Sequence, residues 1–381
     1  MLNNFCFQNP TKLIMGKGMI AQLSKEIPTD KKIMITFGGG SVKKNGVYEQ
    51  VNEALKNHNT VEFWGIEPNP AIETLREAIA LGKSEKVDFL LAVGGGSVID
   101  GTKLISAGLL YEGDAWDLVK KGKADKTIPL GTVLTIPATG SEMNDGAVIS
   151  CKETKEKFAF FSNFPKFSIL DPEVTFSLPD YQIACGIADT FVHVMEQYLT
   201  KAGESRVMDR WAESILQTLV EIAPKIKENK QDYQNMADFM MCATMALNGF
   251  IAMGVSQDWA THMIGHEVTA LTGLTHGHTL AIILPGTMDV LRQQKGEKIM
   301  QVGTRVFGVN SGTHDFRINE IIRKTREFFN SLGLTTSLSE NNIGRDVIDE
   351  IERRFNERDV HFGEDGLVTG AVAKEILNKV Y

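Results

Sequence analysis

Phe89-Leu90-Leu91-Ala92-Val93 runs without a polar break into Gly94-Gly95-Gly96-Ser97, and a helical pattern follows at once. This run constrains the fold more than any other part of the chain. A strand that is apolar at every position has no solvent face, so it must lie inside a parallel sheet covered by helices on both sides. Similar β-rich runs precede and follow it. Ile33-Met34-Ile35-Thr36-Phe37 ends in Gly38-Gly39-Gly40-Ser41, Val61-Glu62-Phe63-Trp64 ends in Gly65, and Thr132-Val133-Leu134-Thr135 leads to Pro137-Ala138-Thr139-Gly140-Ser141. Between them Ile72, Leu75, Ile79 and Leu81 form an amphipathic helix pattern. Strand–helix alternation of this kind predicts an α/β layer with a mostly parallel sheet.

After Leu178-Pro179 the texture changes. Helical periodicity takes over, in Met208 to Ile222 (stopped by Pro224), Met236 to Met253, Ile318 to Leu332 and Ile343 to Phe355. The expected organisation is an α/β domain over 1–180 and an all-helical domain over 181–381. Length permits this, since 381 residues can bury two cores. A formal net charge of −8 argues against a nucleic-acid or anionic-membrane binder. Cys6, Cys151, Cys185 and Cys242 form no CxxC pair, as expected of thiols in a reducing compartment. No run approaches the ~20 apolar residues that span a bilayer. Met1-Leu2-Asn3-Asn4-Phe5 has no basic segment leading into an apolar one, so a cytoplasmic location is expected.

The glycine loops carry the first chemical signal. Glycine lets backbone approach a ligand closely, and a helix N-terminus offers free N–H groups and a positive dipole end. Gly95, Gly96 and Ser97 therefore suit a pyrophosphate, with Gly38, Gly39 and Ser41 and the Thr139-Gly140-Ser141 turn as further strand-end loops. The pattern is not GxGxxG, so an ordinary Rossmann dehydrogenase is not the match. Many dinucleotide folds place an acid at the end of the second strand to bind the adenosine 2′-hydroxyl. Here that end is Phe37-Gly38-Gly39-Gly40-Ser41, followed by Lys43 and Lys44, which leaves room and charge for a 2′-phosphate. NADP(H) is expected over NAD(H).

The second signal lies in the helical half. Asp189 and His193 are four apart, as are His262 and His266, so each pair shares a helix face, and His276 follows after Gly273. These five donors fall in two short windows of a chain with eight histidines. Imidazoles plus a carboxylate suit zinc or ferrous iron, and mixed N/O ligation does not choose between them. Spacing alone leaves open whether His266 or His276 completes the site. His278 reads as a pocket-wall residue, and His58, His314 and His361 as surface residues.

Four motifs resemble one family, the iron-containing (group III) alcohol dehydrogenases. They are Gly94-Gly95-Gly96-Ser97-x-x-Asp100-x-x-Lys103, Thr139-Gly140-Ser141-Glu142, Asp189-x3-His193 and His262-x3-His266-x9-His276-Gly277. The likeness covers essentially the whole chain. Phe37 to Lys44, Gly65 to Pro70 and Gln257-Asp258-Trp259-Ala260-Thr261-His262 resemble the NADPH-dependent butanol dehydrogenase/broad aldehyde reductase branch. Two positions depart from the wider family, Val98 where proline is common after GGGS, and Ile136-Pro137-Ala138 before Thr139.

The resemblance implies a Rossmann-like dinucleotide-binding domain joined to an all-α metal-binding domain, the dehydroquinate synthase-like architecture, with the active site in the cleft between them. It implies Asp189, His193, His262 and His276 as metal ligands, and His266 beside the metal as a substrate-pocket and proton-relay residue. It puts Ser97, Thr139, Ser141, Asn144 and Lys157 near the cofactor, and Asp100 belongs to the same motif. The activity it implies is hydride transfer between NADP(H) and small primary alcohols or aldehydes, with one divalent metal, Fe2+ or Zn2+, as Lewis acid. A homodimer is implied too, with the N-terminal edge strand as its contact. The alternatives are a dehydroquinate-synthase-like or glycerol-dehydrogenase-like enzyme on the same fold, or a metal-dependent hydrolase with the glycine loops as plain turns. The lyase would need a basic pocket for a phosphorylated sugar acid, and no arginine cluster lies near the ligand motifs.

Overall fold

A computed structural model describes residues 1–381. Eight strands are present: β1 (Lys12–Met15), β2 (Lys32–Phe37), β3 (Asn59–Phe63), β4 (Phe89–Gly94), β5 (Leu130–Leu134), β6 (Gly146–Cys151), β7 (Glu156–Phe161) and β8 (Phe167–Leu170). The helices of the first half are α1 (Leu23–Glu26), α2 (Val47–Ala54), α3 (Ile72–Ser84), α4 (Gly96–Gly108) and α5 (Ala115–Lys121). Those of the second are α6 (Asp180–Tyr198), α7 (Arg206–Glu228), α8 (Tyr233–Ala246), α9 (Ala260–Thr272), α10 (His276–Val290), α11 (Arg292–Arg305), α12 (His314–Ser331), α13 (Arg345–Glu357) and α14 (Gly370–Lys379).

The chain forms two compact units. One comprises Gln8–Pro179 with Lys230–Thr244; the other comprises Met1–Phe7, Asp180–Asn229 and Met245–Tyr381. In the first, six strands form a parallel sheet in the order β1-β8-β5-β4-β2-β3. The all-apolar β4 is buried at every position, and the two-residue period sorts its side chains. Leu90 and Ala92 pack with Leu75 and Ile79 of α3 and Ile99 and Leu104 of α4. Phe89, Leu91 and Val93 face the opposite way, against Val47 and Val51 of α2 and Ile20 and Leu23. Strand order reverses between β2 and β4, and both of these neighbours end in a glycine loop. Open parallel sheets bind ligands outside the carboxyl ends of their strands at such a reversal.

Three strands lie outside the sequence expectations, the sheet member β8 and the antiparallel hairpin β6–β7, while β1 is the N-terminal strand at the sheet edge. The hairpin covers α4, placing Ala147, Ile149 and Phe160 in the same core as Ile99 and Leu104.

The second unit is helical. One apolar cluster joins Ile264 and Val268 of α9, Ile282 and Ile283 of α10, Ile351 and Phe355 of α13, and Ile376 and Leu377 of α14. The N-terminal residues belong here: Asn3 N–H donates to Gly254 O at 2.8 Å, and Phe7 packs edge-on to Phe250 at 6.4 Å. Two helix limits differ from the periodicity reading. Pro224 does not stop α7, which runs on to Glu228. Pro224 is exposed, so water can satisfy the Val220 carbonyl it leaves unbonded, while Ile222, Ala223 and Ile226 stay buried on the core face. Conversely α8 ends at Ala246 rather than near Met253, because Gly249 and Gly254 adopt left-handed φ values of 82° and 69°. No helix is long and apolar enough to cross a membrane.

Candidate functional site

α6 is buried continuously from Ile183 to Tyr198, so every polar side chain in that stretch needs a partner. Asp189 and His193 lie on adjacent turns of it. His262 sits in the first turn of α9 and His266 one turn further on. Gly273, with φ 75°, ends α9, and α10 restarts at His276. Gly277 allows that restart to happen against α6, because a Cβ there would lie 2.1 Å from the Cys185 carbonyl oxygen. Helix spacing, a left-handed stop and one close backbone crossing thus bring three segments to one point.

At that point donor atoms of Asp189, His262 and His276 lie within 4.8 Å of one another. His193 is adjacent. Its Nδ1 is 3.5 Å from Asp189 Oδ1, and its ring stacks on His262 with centroids 4.5 Å apart. The His266 ring centroid is 5.0 Å from that of His276 and 6.3 Å from that of His262, so it borders the cluster without entering the three-donor set. His278 is committed elsewhere: Nε2 to the Thr335 carbonyl at 3.0 Å and Nδ1 to the Tyr181 hydroxyl at 3.1 Å. His314 and His361 are exposed, whereas His58 is half-buried, with Nε2 2.9 Å from the Ile27 carbonyl oxygen.

The electrostatics favour a cation. Burial disfavours the charged form of both stacked imidazoles. For His193 it outweighs Asp189 and, with His262 alongside, pushes the pKa down to about 4. For His262 the Glu196 and Asp189 carboxylates outweigh burial and raise the pKa to about 9. His262 Nε2 faces Asp189 Oδ1 at 3.7 Å, buried and without a hydrogen bond. A buried carboxylate grouped with imidazoles, one ring nitrogen unbonded, fits a divalent metal with mixed N/O ligation. Burial holds the nearby Cys185 thiol protonated, with its pKa pushed up to about 12.

Of this centre, Glu196 escaped the sequence reading, and Trp259 entered it only within the Gln257–His262 motif, with no role assigned. Glu196, one turn beyond His193, contacts the start of α9, and its spacing from Asp189 (i, i+7 on one helix face) was the available signal. Trp259 precedes α9 with φ 70°, a conformation bulky residues rarely take, and its ring meets the edges of His262 and His193 at 5.3 and 6.2 Å. Asp258 holds that turn, accepting Ala260 N–H at 3.1 Å and the buried Lys295 ammonium at 2.7 Å.

The α/β unit gathers the other predicted residues. Gly38, Gly39 and Ser41 follow β2; Gly95, Gly96, Ser97 and Asp100 follow β4; Thr139, Ser141 and Asn144 follow β5. Gly96 must be glycine, since a Cβ would lie 2.4 Å from Thr139 Oγ1, and this locks the second loop to the third. Nothing lies within 4 Å of a Cβ built on Gly39, so the first loop has open space. Beside it the Lys43 ammonium sits 4.0 Å from the Trp64 ring centroid. Ser97 Oγ accepts Asn69 N–H at 3.3 Å, and Asn69 Oδ1 accepts the Lys157 ammonium at 2.9 Å. Asp100 accepts Ser141 O–H at 2.6 Å and Val148 N–H at 2.9 Å, so both its oxygens tie the third loop and the hairpin to α4. Lys103 completes the tie, donating to Ser141 Oγ, Asn144 Oδ1 and the Gly146 carbonyl at 2.8, 3.0 and 2.7 Å. Burial pushes its ammonium down to about 8, against the pull of Asp100.

Comparison with known proteins agrees with both halves. Residues 10–172 match the family model described as iron-containing alcohol dehydrogenase, and residues 183–379 match that of the Fe-containing alcohol dehydrogenase family, C-terminal. The chain is 47% identical to the NADPH-dependent aldehyde reductase YqhD of Escherichia coli (strain K12), over 98% of this chain and 99% of that protein. The crystal structure of E. coli K-12 YqhD superposes with a TM-score of 0.98 at 47% identity, covering 100% of this chain and 99% of that one. Identity is 42% to the NADP-dependent alcohol dehydrogenase 3 of Entamoeba histolytica, over 99% of both chains. It is 39% to the NADH-dependent butanol dehydrogenase A of Clostridium acetobutylicum, over 91% of both.

Proposed function

This chain belongs to the iron-containing alcohol dehydrogenase family, and from that premise we propose that it reduces small aldehydes to primary alcohols, reversibly, with NADPH as hydride donor. It is a metal-dependent oxidoreductase acting on alcohols and aldehydes. The observation that carries the reading is the buried convergence of Asp189, His262 and His276, in the same chain as glycine loops at a strand-order reversal. In this proposal Asp189, His193, His262 and His276 hold one divalent metal, Fe2+ or Zn2+. When bound there, such a metal supplies Lewis acidity toward a carbonyl oxygen.

The protein's own groups do the rest. Gly95, Gly96 and Ser97 present the α4 N-terminus to a pyrophosphate, with Thr139, Ser141 and Asn144 of the loop after β5 and Lys157 of β7 as further cofactor contacts in this reading. Gly38, Gly39 and Ser41, with Lys43 parked over Trp64, leave space and positive charge for a 2′-phosphate. His266, buried at the border of the donor cluster, passes a proton through a ring nitrogen to the oxygen of the forming alcohol. The four cysteines stand as free thiols, as a reducing cytoplasmic compartment keeps them. A homodimer belongs to the same proposal, with the sheet-edge strand β1 offering unpaired backbone groups.

The test is NADPH absorbance with butanal and several other short aldehydes, before and after metal removal by a chelator and after metal restoration. Absence of metal-dependent NADPH oxidation across the panel would refute the proposal. Gly39→Asp places a carboxylate where the 2′-phosphate is proposed to lie, and the open space accepts it. The NADPH/NADH preference should shift toward NADH; an unchanged ratio overturns the reading of that loop.

A further inference from the structure

Glu196 is 2% exposed, and its carboxylate is turned toward the first turn of a different helix, α9. Thr261 N–H donates to Oε1 at 2.6 Å, and His262 N–H donates to Oε2 at 3.1 Å. The same Oε2 is hydrogen-bonded to His262 Nδ1. The main-chain carbonyl of Glu196 accepts Asp258 N–H at 3.0 Å. One residue of α6 therefore holds Asp258, Thr261 and His262 together. α9 needs this, because Trp259, at its N-cap position, provides no side-chain cap.

A carboxylate can only accept hydrogen bonds, so the Nδ1 facing it carries the hydrogen. A neutral imidazole has a single ring hydrogen, and its Nε2 is then a bare lone pair. That Nε2 is the atom facing Asp189.

We propose that Glu196 is a positioning residue of the metal centre: it fixes His262 as the Nδ1–H tautomer, aims Nε2 at the metal, and supplies a second buried negative charge beside Asp189. The inference rests on the metal-site reading above. Two carboxylates and neutral imidazoles balance a divalent cation in a buried setting, where an unbalanced charge is costly. Hydrogen bonding from a ligating histidine to a carboxylate also raises the basicity of the ligand.

Glutamine at 196 is nearly isosteric but cannot do this. If its amide oxygen keeps the Thr261 bond, its NH2 faces His262 and satisfies Nδ1 only as an acceptor, which moves the ring hydrogen to Nε2. If the amide is flipped, its NH2 meets Thr261 N–H, donor against donor.

The experiment is chelator-competed binding of Co2+ and Zn2+ to wild type, Glu196→Gln and His276→Ala, with visible spectra of the Co2+ forms and melting curves of the metal-free proteins. Glu196→Gln should lose about 10–100-fold in affinity for both ions, the usual size of such an effect, and its Co2+ spectrum should change. Wild-type affinity and an unaltered spectrum in Glu196→Gln, even with a lowered melting temperature, would reduce Glu196 to a helix cap and overturn the proposal. Equal binding by wild type and His276→Ala would instead overturn the site reading, and this inference with it. If Glu196→Gln does not fold, 15N-histidine NMR of the Zn2+-loaded wild type decides. His262 should show a protonated Nδ1 and a metal-bound Nε2, and the reverse assignment refutes the proposal.

Discussion

Gly277→Ala adds one methyl group at the place where α10 starts against α6. The added Cβ would lie 2.1 Å from the Cys185 carbonyl oxygen, 2.8 Å from its carbon and 3.1 Å from Cα, all backbone atoms. No rotamer change relieves a clash with backbone. Restoring an ordinary carbon–oxygen contact of about 3.3 Å requires the two helices to part locally by roughly 1 Å. Overpacking of this kind costs about 1–3 kcal/mol, and for a unit of this size each kcal/mol lowers Tm by about 2–4 °C. A fall of about 2–12 °C is therefore expected. The neighbouring residue is His276, so the displacement also opens the donor set, where tolerances are about 0.5 Å. Metal affinity should drop together with stability. Gly265→Ala is the control: its Cβ would meet the end of the Leu280 side chain at 2.9 Å, and that end can move. Thermal melts of the metal-free forms and metal titrations of all three proteins make the comparison. A Gly277→Ala protein that melts with wild type and binds metal as tightly would refute the close-crossing argument.

Two further outcomes follow from the same centre. His276→Ala should lose bound metal and activity together, while His266→Ala should keep its metal and slow turnover by about 10²–10⁴-fold, the usual worth of a positioned proton donor; elemental analysis of both variants checks the division. In the metal-free protein the His262 pKa stands near 9, above its ordinary 6.5, so its contribution to stability is complete below pH ~6.5 and is lost as pH rises through about 9. A metal must displace that proton, so affinity should rise with pH by up to about tenfold per unit until about pH 9 and then level off; affinity flat between pH 7 and 9 would contradict it.

What was legible in the sequence follows from how local each constraint is. Asp189–His193 and His262–His266 are helix-face pairs, and β4 is a run no solvent-facing strand could carry; both are read within a few residues. Glu196 escaped because its partners sit on another helix, 65 and 66 residues away in sequence. The β6–β7 hairpin was passed over although Ala147, Ile149 and Cys151 alternate inward, since its turn has no glycine or asparagine and instead bends Lys155 to φ 52°. Asp100 and Lys103, legible as parts of a motif, spend their bonds on the third loop and the hairpin. A motif shows which residues go together without showing which of them face a ligand.

The pairing of Asn3 and Phe7 with Gly254 and Phe250 bears on the order in which the chain can be assembled. During synthesis, Phe7 leaves the ribosome well before its partner ring exists. At about 5–20 residues per second that delay is roughly 10–50 s. The whole parallel sheet, from β1 to β8, is made in the interval, and so is α8, which supplies most of the Lys230–Thr244 segment grouped with it. The helical unit, by contrast, takes its first residues from one end of the chain and its last from the other. No single cut separates the two units, so a truncation meant to isolate either would also lose part of the unit it was meant to keep.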